Sequence, residues 1–128
     1  TIAQNNTLGV GREQDWSTHL IANELSALYD TPHGATLSII MGSWMRVASE
    51  KAPFRFARYA TEVFGIRPGS MNETELARRG IAATESFFRS LGMPVSFKDF
   101  DLPGDGIERM LDNIDFYGPD DHRVHCPP

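Results

Sequence analysis

Apolar residues recur at intervals of three and four along much of this chain, which is the spacing of one face of an α-helix. The first such run predicts a helix whose shared face carries Trp16, His19, Leu20, Asn23 and Ala27. Residues 29–31 interrupt the pattern. Thr31 followed by Pro32 then predicts a second helix, with Thr31 as its N-cap and Pro32 at its first helical position.

The next two helices follow from the same periodicity. The second is expected to be buried, because the positions between Ala35 and Met41 are apolar nearly all round. A third helix is predicted to begin near Pro53 and to stop at the glycine- and proline-containing cluster of residues 65–69.

The fourth helix has the clearest signal. Asn72, with Glu75 three residues later, resembles a capping box at its start, and residues 92–94 end it. Its inner face is predicted to carry Leu76, Gly80, Ala83, Phe87 and Leu91, with Ile81, Thr84 and Phe88 beside them. Residues 95–100 are predicted to be a loop, and a last helix is expected from about Asp105 to Asn113.

These elements predict an all-α fold, a bundle of about five helices in a single helical domain over residues 1–128. Residues 1–11 are expected to form an irregular lead-in. Residues 117–128, rich in proline, glycine and aspartate, are expected to be a flexible tail. Trp16 and Trp44, like most of the phenylalanines, are expected to pack in the core.

Composition narrows the classes of function. The net charge of -5 and the pI near 5.2 disfavour a nucleic-acid-binding surface, because phosphate binding needs clustered lysine and arginine. Cys126 is the only cysteine, so neither an intrachain disulfide nor a thiolate metal cage is available. No apolar run approaches the about twenty residues that span a bilayer, and residues 1–6 do not resemble a secretory signal. We therefore expect a cytoplasmic protein with no nucleic-acid or membrane partner.

Two histidines are the leading candidate site. His19 and His33 lie fourteen positions apart, each in the opening part of a predicted helix. The helix after His19 rises about 12 Å, and the connection to His33 can span up to about 20 Å when extended. The chain can therefore double back and bring both imidazoles to one metal ion. The spacing does not require this, and the alternative is two unrelated polar residues at helix starts.

A second group of potential ligands lies in the predicted tail, where His122, His125 and Cys126 follow one another closely. A proline-flanked tail offers little to preorganise a zinc or nickel site. A solvated tail is therefore the favoured interpretation, with metal binding as the alternative.

Six short segments follow one another along the chain: GVGREQDWSTH at 9–19, NELSA at 23–27, TPHG at 31–34, RYA at 58–60, VFGI at 63–66 and FFRSLGMP at 87–94. In this order they resemble the iron-containing (group III) alcohol dehydrogenases, with the butanol dehydrogenase type as the nearest branch. The resemblance runs from about Gly9 to Tyr117.

The resemblance implies a function. In that family a helical C-terminal domain supplies two histidines to a catalytic divalent iron, sometimes zinc, and they match His19 and His33. The implied activity is metal-assisted hydride exchange between NAD(P) and an alcohol or aldehyde. The other two ligands and the glycine-rich nucleotide-binding turn come from the preceding part of such proteins. No strand precedes Gly9–Gly11 here, so the nucleotide-binding domain is expected to be absent and the chain alone to be inactive.

The chain departs from the family pattern in three places. Asn23, a possible substrate-side residue, stands where many members have a further histidine. Gly42 replaces a proline that commonly follows the apolar run, which is expected to alter the end of that helix. The sequence stops at Pro128, before the family's usual last helix. Asp15 and Asp30 are candidate hydrogen-bond partners of the histidines, although both are more simply explained as cap or turn residues.

Two hypotheses follow. The first is a metal-ligating domain of an iron-dependent dehydrogenase that needs a complementary nucleotide-binding domain. The second is a non-catalytic helical module that keeps the fold and interacts with copies of itself or with another partner.

Overall fold

The computed structural model describes residues 10–11 and 15–114, and these form five α-helices without any strand. The helices are α1 (Ser17–Tyr29), α2 (His33–Lys51), α3 (Pro53–Phe64), α4 (Glu73–Ser90) and α5 (Ile107–Asn113). Short 3-10 turns occupy Lys98–Phe100 and Gly104–Gly106. The predicted all-α architecture with about five helices is confirmed. The predicted tail and most of the predicted lead-in lie outside the described residues, as does the group of His122, His125 and Cys126.

Local signals explain most helix ends. The Asn72 side chain accepts the Glu75 backbone N–H at 2.9 Å, so the predicted cap of α4 is confirmed. Pro53 is the first residue of α3, where a missing N–H costs nothing. Gly65 ends the same helix with φ 65, a left-handed conformation that suits glycine.

The start of α2 differs from the prediction. The helix begins at His33 with Pro32 in the N-cap position, because the Pro32 carbonyl accepts the first helical N–H groups. Thr31 belongs instead to the end of α1, where its N–H is donated to the Ser26 carbonyl at 3.3 Å. Its hydroxyl is buried and has no hydrogen-bond partner among the described residues. The predicted Thr31 cap is therefore wrong.

Two apolar clusters hold the described helices together. One joins α1, α2 and α5 through Leu25, Ile39, Ile40 and Met110. The other joins α3 and α4 through Ala57, Ala60 and Leu76.

Helix α1 buries a different face from the one that the sequence pattern groups together. Its buried residues are Ser17, Thr18, Ala22 and Leu25. Trp16, His19, Asn23 and Ala27 are exposed. The small and apolar side of α1 therefore packs on the bundle, and the side that carries the imidazole faces solvent.

The inner face of α4 follows the prediction only in its first half. Leu76 and Gly80 are buried, as predicted, whereas Phe87 and Leu91 are 51% and 61% exposed. Ile81 and Thr84, which were predicted to lie beside this face, are buried, because this side of the helix packs on α3 and α2. A Cβ atom added at Gly80 would lie 2.7 Å from the Ala60 Cβ atom, which shows how closely α3 and α4 approach.

Helix α2 does not end near Gly42 but continues to Lys51. Gly42 is buried against the Glu85 carboxylate of α4, with no room for a Cβ atom beside it. Glu85 in turn accepts a charged hydrogen bond from Arg46 at 2.6 Å. The glycine thus allows this α2–α4 ion pair to form. Among the described residues, no helix has the length and apolar character needed to cross a bilayer.

Candidate metal centre

The two predicted ligands lie at the starts of consecutive helices. His19 is the third residue of α1, and His33 is the first residue of α2. Both side chains belong to exposed residues. Within residues 10–11 and 15–114, neither imidazole forms a hydrogen bond, so the nitrogens of both rings remain available to a ligand.

The two imidazoles are neighbours in space. Their ring centroids lie 5.5 Å apart, and the ring planes are tilted by 55°. Two imidazoles that bind one ion through nitrogens about 2.1 Å from it have ring centres about 5 Å apart at a tetrahedral angle. The observed separation therefore fits a shared divalent ion, and imidazole nitrogen is a donor that both iron and zinc accept.

A short connection and one chain of hydroxyl groups bring the rings together. Asp30 adopts a left-handed conformation (φ 49) and reverses the chain between α1 and α2. The fully buried Thr36 donates its hydroxyl to the His33 carbonyl at 2.9 Å, so its oxygen accepts the hydroxyl of Ser26 at 2.9 Å. This relay joins the middle of α1 to the first turn of α2, where His33 is located.

The indole of Trp16 is a third ring at this site, beside the imidazoles of His19 and His33. Its centroid lies 5.2 Å from that of His19, at an interplanar angle of 70°, which is an edge-to-face contact. Trp16 is 40% exposed, so the expectation that it packs in the core is wrong. Sequence reasoning missed this contact, although the i, i+3 spacing of Trp16 and His19 was a usable signal.

The other candidate residues near the site have simpler roles. Asp15 accepts the Ser17 backbone N–H at 2.8 Å and caps α1. Asp30 is the turn residue after α1, and its backbone N–H is donated to Ser26. Asn23 is exposed one turn beyond His19. Neither aspartate is hydrogen-bonded to an imidazole in the described part of the chain.

The site offers two donors rather than a full coordination shell. Among the described residues, no group of three or more histidine, cysteine, aspartate or glutamate side chains is arranged to hold a metal ion. His19 and His33 alone leave at least half of a tetrahedral shell to other groups.

Comparison with solved structures identifies the class of protein. The chain superposes on the NADH-dependent butanol dehydrogenase A of Thermotoga maritima with a TM-score of 0.81 and 40% identity, covering 88% of this chain and 28% of that one. It superposes on the aldehyde reductase YqhD of Escherichia coli with a TM-score of 0.75 and 32% identity, covering 80% of this chain and 27% of that one. The fold is thus that of the helical C-terminal region of larger dehydrogenases.

Sequence comparison identifies the family. Residues 1–114 match the profile described as "Fe-containing alcohol dehydrogenase family, C-terminal", and the chain belongs to this family. It is 35% identical to the "Probable NADH-dependent butanol dehydrogenase 1" of Bacillus subtilis over 88% of this chain and 29% of that protein. The chain therefore spans about three tenths of the length of the curated relatives that it matches.

Proposed function

We propose that His19 and His33 bind one divalent metal ion, iron or zinc, and that the chain is the metal-ligating helical part of an NAD(P)-linked alcohol or aldehyde dehydrogenase. The observation that carries this proposal is the 5.5 Å separation of two exposed imidazoles that come from different helices. Membership of the Fe-containing family and the names of the relatives support the same chemistry.

Each histidine has a defined task in this proposal. His19 and His33 each donate one ring nitrogen and hold the ion at the solvent-facing junction of α1 and α2. When bound, the metal supplies Lewis acidity toward the oxygen of an alcohol or aldehyde. The hydrogen bonds from Ser26 through the buried Thr36 to the His33 carbonyl keep the first turn of α2 in place, and with it one of the two donors.

The remaining parts of the catalytic site come from a different polypeptide segment, either elsewhere in a longer chain or in a second protein. Two donors make half of a coordination shell, and hydride transfer needs a nucleotide site that positions the nicotinamide. We therefore expect these 128 residues to bind metal weakly and to show no turnover by themselves.

Metal titration tests the ligand assignment. Zinc affinity is measured by competition with a chromogenic chelator, in the parent chain and in the double variant His19→Ala plus His33→Ala. We expect the double variant to lose specific binding. The matched control is His122→Ala plus His125→Ala, which removes the chain's other two histidines and should bind zinc as the parent does. Unchanged affinity in the first variant, or loss in the control, contradicts the proposal.

Reconstitution tests the enzymatic part. The chain is mixed with the nucleotide-binding region of a related butanol dehydrogenase, and oxidation of NADH or NADPH is followed with butanal as substrate. We expect activity only with both parts and a metal ion, and less of it in the His19→Ala variant. Activity that does not depend on His19 argues against the proposed ligand role.

The alternative function is a helical module that self-associates without catalysis. Exposed apolar residues favour this candidate: Val63 on α3, Phe87 on α4 and Leu91 directly after α4 are each more than half exposed. Light scattering over a range of concentrations distinguishes the two. A strict monomer at high concentration excludes self-association as the role of these residues.

A further inference from the structure

Trp16 has no explanation in the local folding of α1. It occupies the N-cap position, where serine, threonine, aspartate or asparagine is usual, and its side chain makes no capping hydrogen bond. The cap is provided by Asp15, which accepts the Ser17 N–H. With 40% of its surface exposed, the indole is not a core residue either.

Trp16 forms a ring contact with the candidate ligand His19. The two rings meet edge to face, with centroids 5.2 Å apart. His19 therefore has two ring neighbours, the Trp16 indole and the His33 imidazole, the latter with its centroid at 5.5 Å. No described residue forms a hydrogen bond with the His19 ring. The orientation of this ring is therefore restrained by its contact with the Trp16 indole and not by hydrogen bonds.

We propose that Trp16 is a positioning residue that holds the His19 imidazole in its metal-binding orientation, an inference that rests on the proposed function. An exposed histidine on a helix populates several rotamers, and binding an ion selects one of them. A ring packed against the imidazole narrows this choice before the ion arrives, so less conformational entropy is lost on binding. The indole acts through His19 and does not itself donate to the metal.

Zinc titration of ring variants tests the inference. Trp16→Ala removes the contact, and we expect its zinc affinity to fall about threefold to tenfold, the range that an aromatic pair contributes. Trp16→Phe keeps a ring edge beside His19 and should recover most of the loss. Circular dichroism on each variant shows whether α1 remains folded.

Phe54 provides the matched control. It is an aromatic residue of similar exposure, 56%, and it lies near the Arg55 guanidinium instead of a histidine. Phe54→Ala should bind zinc as tightly as the parent chain does. A comparable loss in Phe54→Ala would mean that removing any exposed ring weakens binding, and would overturn the inference.

Fluorescence tests whether the bound ion lies beside Trp16, as the inference requires. The chain contains two tryptophans, so Trp44→Phe leaves Trp16 as the only indole. Trp44 lies eleven residues beyond His33 on α2, about 16 Å along the helix. In the Trp44→Phe background, Co²⁺ should quench the Trp16 emission, and His33→Ala should abolish the quenching. Binding without quenching would overturn the inference.

The outcomes separate this inference from the function on which it rests. If zinc binding in the parent chain does not depend on His19 and His33, both are overturned. If binding depends on the histidines but Trp16→Ala binds as tightly as the parent, only the positioning role is overturned. Equal losses in Trp16→Phe and Trp16→Ala, with α1 still folded, also exclude a role for the ring contact.

Discussion

Asn23 lies one helical turn beyond His19 on the exposed side of α1, because positions four apart in an α-helix share a face. The Asn23 side chain therefore lies near the two candidate metal ligands but is not itself one of them. By resemblance to the family, this is also a position where many members carry a histidine.

We predict that Asn23→His strengthens zinc binding by the chain, on the order of tenfold or more, because a third imidazole on the same face adds a tethered donor. Chelator competition measures the change. Asn23→Ala is the control and should bind zinc as the parent does. An unchanged affinity in Asn23→His would show that this helix face does not point toward the bound ion.

The close approach of Gly80 to Ala60 leads to a stability prediction. A Cβ atom at residue 80 would lie 2.7 Å from the Ala60 Cβ atom and 3.1 Å from its Cα atom, so the backbone of α3 has to move. Overpacking of this kind costs about 1–3 kcal/mol, against a gain in helix propensity of about 1 kcal/mol. We expect Gly80→Ala to lower the free energy of unfolding by up to about 2 kcal/mol in urea denaturation.

Gly42→Ala is the matched substitution in α2. There the added methyl group meets the end of the flexible Glu85 side chain and not a backbone. Glu85 can rotate away at the expense of its ion pair with Arg46, a partly exposed pair that contributes about 0–1 kcal/mol. The loss should therefore be smaller than for Gly80→Ala, and the reverse order would contradict the packing described for α3 and α4.

The hydroxyl group of Tyr29 links the end of α1 to the turn before α5 through hydrogen bonds. Its hydroxyl donates to the Pro103 carbonyl at 2.5 Å and accepts the Gly106 N–H at 3.2 Å. Removing it in Tyr29→Phe leaves these backbone groups without their partner, at a cost of about 1 kcal/mol. We expect faster hydrogen exchange at the Gly106 amide, with the exchange in α3 and α4 unchanged.

Tyr59→Phe is the control for that experiment. It removes a tyrosine hydroxyl bonded to Thr84 at 2.9 Å, which links α3 to α4. In this variant, the hydrogen exchange of the Gly106 amide should change only as far as the global stability of the protein changes. Selective deprotection of Gly106 in Tyr59→Phe but not in Tyr29→Phe would be incompatible with the observed contacts.

The contribution of Asp99 to the stability of the turn after α4 is expected to depend on pH. The Val95 backbone N–H, donated to the carboxylate at 3.0 Å, and hydrogen bonding with the Ser96 side chain hold the pKa of Asp99 below its ordinary value. A lowered pKa in the folded state means that the contribution to stability is present above the unfolded-state pKa. It is lost as the pH falls through the lowered value. The Val95 amide shift in NMR should titrate below the usual aspartate range, and Asp99→Asn should abolish this titration.

Much of the secondary structure could be predicted because its signals are local. The Asn72 cap, Pro53 at the start of α3 and Gly65 at its end each depend on residues within one turn. Thr31 is the instructive exception. Its hydroxyl chemistry suited a cap, but α2 begins one residue later than predicted, with Pro32 as the N-cap residue whose carbonyl accepts the first helical N–H groups.

The candidate site was only partly predictable. The spacing of His19 and His33 allowed a shared ion without requiring it, and the 5.5 Å separation depends on how α1 and α2 pack. The contact between Trp16 and His19 was not predicted, because an aromatic residue at helical spacing is usually part of a core. The exposure of Trp16 follows from which side of α1 packs on the bundle.

By itself, the sequence determined where the helices lie, which family the chain resembles and which two histidines are the candidate metal ligands. These properties follow from local chemistry and residue order. Only the tertiary structure decided that α1 buries the side of Ala22 and Leu25, exposes His19 and brings its ring into contact with those of Trp16 and His33. The physical reason is that a helix rotates to bury its best-packing face, and that choice depends on partners distant in the chain.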